Sequence, residues 1–274
     1  MFTYVCITMA ISIIALLFFL SRKREQNHQV RFQTIFLLRQ LVGFIRQHRQ
    51  LTHQYLHCSH QGANRIAKIE EQINETHTQL SVLKPNSEVR ILSERTHLLH
   101  QQWALFNLAR NQIDHGRLIR QTLFLIDENM IMWLSESGRE DLSEQYSQDW
   151  LEIFDCLDSL TQFRIAILDK NSEQGQQKLK RDAILLSNRL NKLSLLSPLT
   201  FVDMDQGGLM AQLRHLQSEQ ITALSAEDLY QVSSDASILI FTLYDQVIST
   251  LCEELYLPLP EIAGIKKPAH HQQA

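Results

Sequence analysis

Residues that break helices are so scarce in this sequence that it favours long helices over any sheet. Between Gly62 and Gly138 the chain meets only Pro85 and Gly116, and its 274 residues hold eight glycines and five prolines in all. A β-sandwich or barrel needs a turn every ten residues or so, a demand that would exhaust this supply. The breakers fall where helices are expected to end: Gly62, Pro85, Gly116, Gly138, Gly175, Pro198, the Gly207-Gly208 pair, and Pro258 with Pro260. Between them apolar residues recur at helical spacing, as in Ile66, Ile69, Ile73, Leu80 and Leu83, and again in Ile119, Thr122, Ile126, Met130 and Trp133. The pattern predicts an all-α chain of about seven or eight soluble helices, folded back on one another as up-and-down bundles with coiled-coil-like seams. Gly43 falls inside a helical pattern, where close helix packing or a mild bend is expected.

The first twenty residues form a separate unit. Phe2 to Leu20 reads FTYVCITMAISIIALLFFL, with no ionisable group, and at ~1.5 Å per residue such a helix approaches the ~30 Å of hydrocarbon in a bilayer. Nothing basic precedes the run, whereas Arg22, Lys23 and Arg24 follow it directly. That is the reverse of a cleavable signal peptide. Residues 1–21 are therefore expected to be a single transmembrane anchor in an inner membrane, with the N-terminus outside and the remainder cytoplasmic, the opposite, periplasmic orientation being the alternative. Residues 22–257 are then the helical-bundle domain. Residues 258–274, with three prolines and no apolar period, are expected to be a disordered tail. Cys6, Cys58, Cys156 and Cys252 have no paired spacing and suit reduced thiols.

A net charge of −4, from 26 basic and 30 acidic side chains, gives no reason to expect nucleic acid as a partner. The sequence lacks a glycine-rich phosphate loop, a GxSxG elbow, an HExxH helix and a CxxC pair, so neither an enzyme nor a cofactor is expected. His53, His57 and His60 share one helix face with Cys58 nearby, yet no acidic residue flanks them to complete a metal shell, and no metal is expected there. Trp103, Trp133, Phe106 and Phe124 are spaced as core residues. Arg139-Glu140-Asp141 and Lys178 to Asp182 read as solvated helix surface.

Two arginines interrupt otherwise apolar seams. Ile35, Leu38, Val42, Ile45, Thr52 and Leu56 form a heptad stripe that includes Arg49. Trp150, Ile153, Leu157, Leu160 and Ile167 form another that includes Arg164. An inward guanidinium must reach solvent, meet a carboxylate, or meet an anion brought by a ligand. Glu70 and Asp127, at the edges of other apolar faces, are the carboxylates placed to neutralise one internally. Two guanidinium forks on facing helices could otherwise enclose a small oxyanion, with Arg46 adding positive field from the rim.

The stretch LVGFIRQHRQLTHQYL, residues 41–56, resembles the first signature of the NIT family of nitrate- and nitrite-sensing helical domains, with Arg49 at the motif arginine. LDSLTQFRIAILD, residues 157–169, is similar to a second family stretch with Arg164 in the arginine position, and QQWALFNLARNQID is similar to the middle region, where Arg110 aligns. The resemblance implies a double helical bundle that holds an anion between arginines on different helices, here Arg49, Arg164 and Arg110, to which the helical spacing adds Arg46 at the rim. Gln50 and Ile165 stand where the family has glycine. With a single anchor and no recognisable output domain, the expected role is a sensor that signals through a partner protein. The alternative is a tethered scaffold that docks a partner or a second copy of itself through exposed helix faces.

Overall fold

The computed structural model describes residues 2–57, 62–198, 201–202, 208–216 and 224–260. Regular structure among them is helical: α1 (Phe2–His57), α2 (Ala63–Leu83), α3 (Ser87–Gln102), a 3-10 turn (Trp103–Leu105), α4 (Leu108–Glu136), α5 (Glu140–Leu168), α6 (Glu173–Leu193), α7 (Leu209–His215) and α8 (Ala226–Leu255). The expected all-α bundle is what forms.

Local chemistry sets the helix starts. Asn86 accepts from the Val89 amide at 2.9 Å and Asn107 from the Arg110 amide at 2.8 Å, so α3 and α4 each begin on a side-chain cap. Ser225 and Asp228 cap each other reciprocally at the start of α8. Two of the expected breakers act differently from the sequence reading. Gly116 lies inside α4, where the breaker-free run on either side lets the helix continue through it. Gly175 sits in the first turn of α6, at its beginning, because a Cβ there would lie 1.7 Å from the Asp169 carbonyl oxygen. Gly62, Gly138 and Gly208 do occupy helix boundaries, each with a positive φ that favours glycine.

The apolar segment expected to be an anchor and the first helix of the bundle are one rod. α1 runs unbroken for 56 residues, about 84 Å at ~1.5 Å per residue. Its first third is apolar and uncovered by the rest of the protein, and this is the one described helix long and apolar enough to cross a membrane. No break in the helix marks residue 21. From Thr34 onward the same helix is buried against α2 and α4, and α3 packs against both α2 and α4 to complete the group. A second group consists of α5, α6 and α8, with α7 lodged against α6 and α8. α4 packs on α5, and a single continuous core runs through both groups.

The predicted stripes are buried at Ile66, Ile69, Ile73 and Leu80 on α2, with Leu83 half-buried at the helix end, and at Ile119, Thr122, Ile126, Met130 and Trp133 on α4. Phe124 departs from expectation. It is 47% exposed because its position on α4 turns outward, where its ring meets Phe154 and Trp150 at the surface. Asp182 departs in the other direction, only 3% exposed and bonded to Arg181 at 3.3 Å, since it shares a face of α6 with Leu179 and Leu186. Cys156 and Cys252 are buried free thiols. Cys58, His60, Gly207 and residues 261–274 lie outside the described residues.

Candidate functional site

α1, α4, α5 and α8 together line a cleft of about 380 Å³. α1 contributes Gly43, Arg46, Arg49 and His53, α4 contributes Gln112, α5 contributes Arg164, and α8 contributes Tyr230, Ser233 and Ser237. Both seam arginines thus meet in one space, with Arg46 a turn away, and no carboxylate is among the residues that line it. Helical periodicity explains the convergence. Arg46, Arg49 and His53 follow at steps of three and four on α1, and Tyr230, Ser233 and Ser237 do so on the facing wall.

The guanidiniums are held largely by neutral groups. Arg164, 7% exposed, donates from Nε to Ser233 Oγ at 3.1 Å and from a terminal nitrogen to the Ser233 carbonyl at 2.9 Å. Arg46 lies 3.9 Å above the Phe241 ring centroid and reaches Ser237 Oγ at 3.4 Å. No hydrogen bond or ion pair to the Arg49 guanidinium occurs among the described residues. The effect on their acidity follows from burial and mutual repulsion. Burial, then the neighbouring Arg49, lowers Arg46 to about 9 against the opposing pull of Asp245. Burial lowers Arg49 to about 10. Burial, then Arg49 and Arg46, drives Arg164 well below its ordinary value.

Other polar atoms at the cleft are also unpaired. Gln112 Nε2 lies 3.2 Å from His53 Nδ1, so with the amide donating, the imidazole proton sits on Nε2, which is buried without a partner. Arg46 Nε and the Tyr230 hydroxyl are buried and unpartnered as well, and Gln112 Oε1 is the acceptor among these orphans. Burial, then His57, Arg49 and Arg164, lowers His53 to about 4, so it is neutral near pH 7. The site is a donor-rich, cationic recess.

The carboxylates expected as internal partners are elsewhere. Glu70 bonds His48 at 3.1 Å and Trp103 at 2.9 Å. Asp127 has a buried Oδ1 without a hydrogen-bond partner, and burial raises its pKa. Asp245 is the nearest acid in electrostatic terms, and it is taken by Arg39 of α1. Arg110 does not join the cleft. It is exposed at the start of α4, paired with Asp114 at 3.2 Å and stacked 4.3 Å from the Phe106 centroid, because its place on the helix turns it away from α5 and α8. Gln50 does line the cleft. His53 and His57 stack at 6.0 Å, but His53 faces Gln112 and Tyr230.

Sequence reasoning missed Gln112, Tyr230, Ser233 and Ser237. The Tyr230, Ser233 and Ser237 spacing on α8 is a signal visible in the sequence, though small hydroxyls on a helix are common. Gly43, expected at a packing contact, lies in the cleft wall one turn before Arg46 and brings no side chain into that space.

These features define an all-α bundle with a cationic cleft, carried on a helix long and apolar enough to enter a membrane. No protein-family model matches the chain, and no curated protein or solved structure matches it.

Proposed function

We propose that this chain is a membrane-anchored sensor that binds a small oxyanion of the nitrate or nitrite kind in the cleft between α1, α5 and α8. The observation that carries the reading is the meeting of Arg46, Arg49 and Arg164 in one recess with no carboxylate in its lining. An uncompensated cluster of this kind is costly in a folded protein, and a bound anion would relieve the repulsion while satisfying idle donors. Planar oxyanions suit it because a guanidinium presents two parallel donors to two oxygens. The resemblance of residues 41–56 and 157–169 to the NIT signatures points the same way.

A mechanism follows from the size of the recess and the continuity of α1. At about 380 Å³ the cleft has room for roughly a dozen waters at ~30 Å³ each, far more than one small anion fills. An anion would bind more tightly to a narrower state in which Arg49 and Arg164 approach each other. Binding then shifts the population toward that state. Since Arg49 and the apolar segment share one rigid helix, a tilt or slide of α1 at the cleft would carry to the membrane. Any output passes to a partner protein through that motion. The basic cluster Arg22 to Arg24 orients the bundle toward the cytoplasm of a single-pass inner-membrane protein.

Thermal unfolding of the full-length chain in detergent, at constant ionic strength, tests the assignment. Nitrate or nitrite at a hundredfold excess over its dissociation constant stabilises by about 2.7 kcal/mol. That raises the midpoint by roughly 5–10 °C for a domain of this size, while chloride has a smaller effect. The shift should vanish in Arg49→Met and Arg164→Met. A response to nitrate and nitrite no larger than that to chloride, or one that survives both substitutions, refutes the proposal and leaves the tethered scaffold as the better reading.

A further inference from the structure

On the opposite face of α1 from the arginines lies a second polar cluster, drawn from four helices and the 3-10 turn. His48 of α1 is fully buried, with Nε2 at 3.1 Å from Glu70 Oε1 of α2 and Nδ1 at 2.7 Å from His115 Nε2 of α4. Trp103 Nε1 donates to the same Glu70 oxygen at 2.9 Å. His100 of α3 has its ring centroid 5.0 Å from that of His48, and its Nε2 is buried without any hydrogen-bond partner.

The hydrogen positions in this chain of contacts can be deduced from its far end. His115 Nδ1 lies 2.8 Å from the Asn111 carbonyl, which can only accept, so that nitrogen carries a proton. A second proton on His115 Nε2 would make an imidazolium in a fully buried place where no carboxylate touches it, at a large desolvation cost. His115 Nε2 is therefore the acceptor, and His48 Nδ1 the donor. His48 Nε2 faces Glu70 Oε1, an oxygen that already accepts from Trp103, so this contact needs either a proton on Nε2, which makes His48 an imidazolium paired with Glu70, or a metal ion in the proton's place. A proton would account for the 3.1 Å contact alone, whereas a metal ion would also use the buried, unpartnered Nε2 of His100 beside it.

We propose that His48, Glu70 and His100 form a binding site for a divalent transition-metal ion of the zinc class. One ligand atom from each residue lies within 4.8 Å of the others. A tetrahedral shell with bonds of ~2.0–2.1 Å needs separations of roughly 3.3 Å, so rotation of a side chain closes the remaining gap. Two imidazoles and one carboxylate match the donor set that zinc accepts while keeping a fourth position open to water. The outer contacts are those such a site uses. His115 fixes the tautomer and ring plane of His48, and Trp103 orients the Glu70 carboxylate. The metal would clasp α1, α2 and α3 at a point one residue from Arg49, with ligands that are independent of any anion in the cleft.

Zinc titration of the full-length protein, purified without a polyhistidine tag, stripped with EDTA and followed with a competing chromophoric chelator, tests the site. One equivalent should bind at submicromolar concentration, and His100→Ala and Glu70→Gln should each weaken it at least a hundredfold. His115→Gln, which removes an outer contact only, should weaken it tenfold to a hundredfold. His100→Ala leaves the His48–Glu70 contact in place, and unchanged helicity and melting of that metal-free variant separate loss of the site from loss of the fold. Cobalt bound in place of zinc should give the intense visible absorption of a four-coordinate ion. Absence of a one-equivalent site, or zinc affinity unaltered in both His100→Ala and Glu70→Gln, overturns the proposal and assigns any residual binding to other histidines. Retention of the site in Arg49→Met keeps this result independent of the anion reading.

Discussion

Replacing Arg49 with Met should make the ligand-free protein more stable, the opposite of what removing a buried charged residue usually does. Arg49 lies in the wall of the cleft with no acidic partner, and burial lowers its pKa from 12.5 to about 10. At ~1.4 kcal/mol per pH unit that is about 3 kcal/mol of penalty on the charged form, which solvent at the half-open cleft screens to ~1–2 kcal/mol. Methionine keeps an unbranched apolar stem along the seam and drops the charge, and it also relieves Arg46 and Arg164, whose guanidiniums Arg49 repels. The gain corresponds to a melting midpoint about 2–8 °C higher. Tryptophan fluorescence reports it directly, because Trp103, Trp133 and Trp150 all lie in the bundle. Low ionic strength maximises the difference, and Arg49→Lys, which keeps the charge, should not reproduce it. If Arg49→Met melts below the wild type without added anion, the guanidinium has a stabilising partner and the idea of an uncompensated cationic recess is wrong.

Gly116 lies inside α4 with nothing within 4 Å of where a Cβ would stand, so Gly116→Ala should stabilise by about 0.5–1 kcal/mol in a urea titration; a loss would mean the helix needs glycine there. His53 is held near 4 in the folded protein against 6.5 in the unfolded chain. The unfolded state therefore takes up a proton first as pH falls, and stability should drop between about pH 6.5 and 4 by up to ~3 kcal/mol. His53→Gln should flatten that part of the profile, and an unchanged slope would discount the histidine. Trp133, wholly buried, donates from Nε1 to His28 Nδ1 at 2.6 Å and joins α4 to the part of α1 that follows its apolar segment. Trp133→Phe should cost about 1–3 kcal/mol by removing that bond and opening space, a loss read from the denaturation midpoint by circular dichroism.

The helices were legible because each depends on local pattern. Three- and four-residue apolar steps, capping residues and rare breakers state where α2, α4, α5 and α8 run and which faces they bury. Breaker residues were less informative one by one, since Gly116 is absorbed by the helix around it and Gly175 answers to a close approach from the Asp169 carbonyl that no local pattern reveals. The inward turn of Arg49 and Arg164 could also be read from their seams. Which charges meet them could not. Glu70 and Asp127 were equally plausible partners by spacing, and only the packing of α1, α2 and α3 assigns Glu70 to His48 and Trp103.

By itself the sequence determined an all-α chain, an N-terminal helix apolar enough for a bilayer, and two arginines that face inward, because periodicity and unbroken apolar length act within one helix. The tertiary structure alone decided that those arginines share a recess with Arg46 and serine hydroxyls, that Arg110 stays outside it, and that His48, Glu70 and His100 converge. Such outcomes depend on how separate helices cross and rotate against one another, and that is set by the whole core and not by any single stretch of chain.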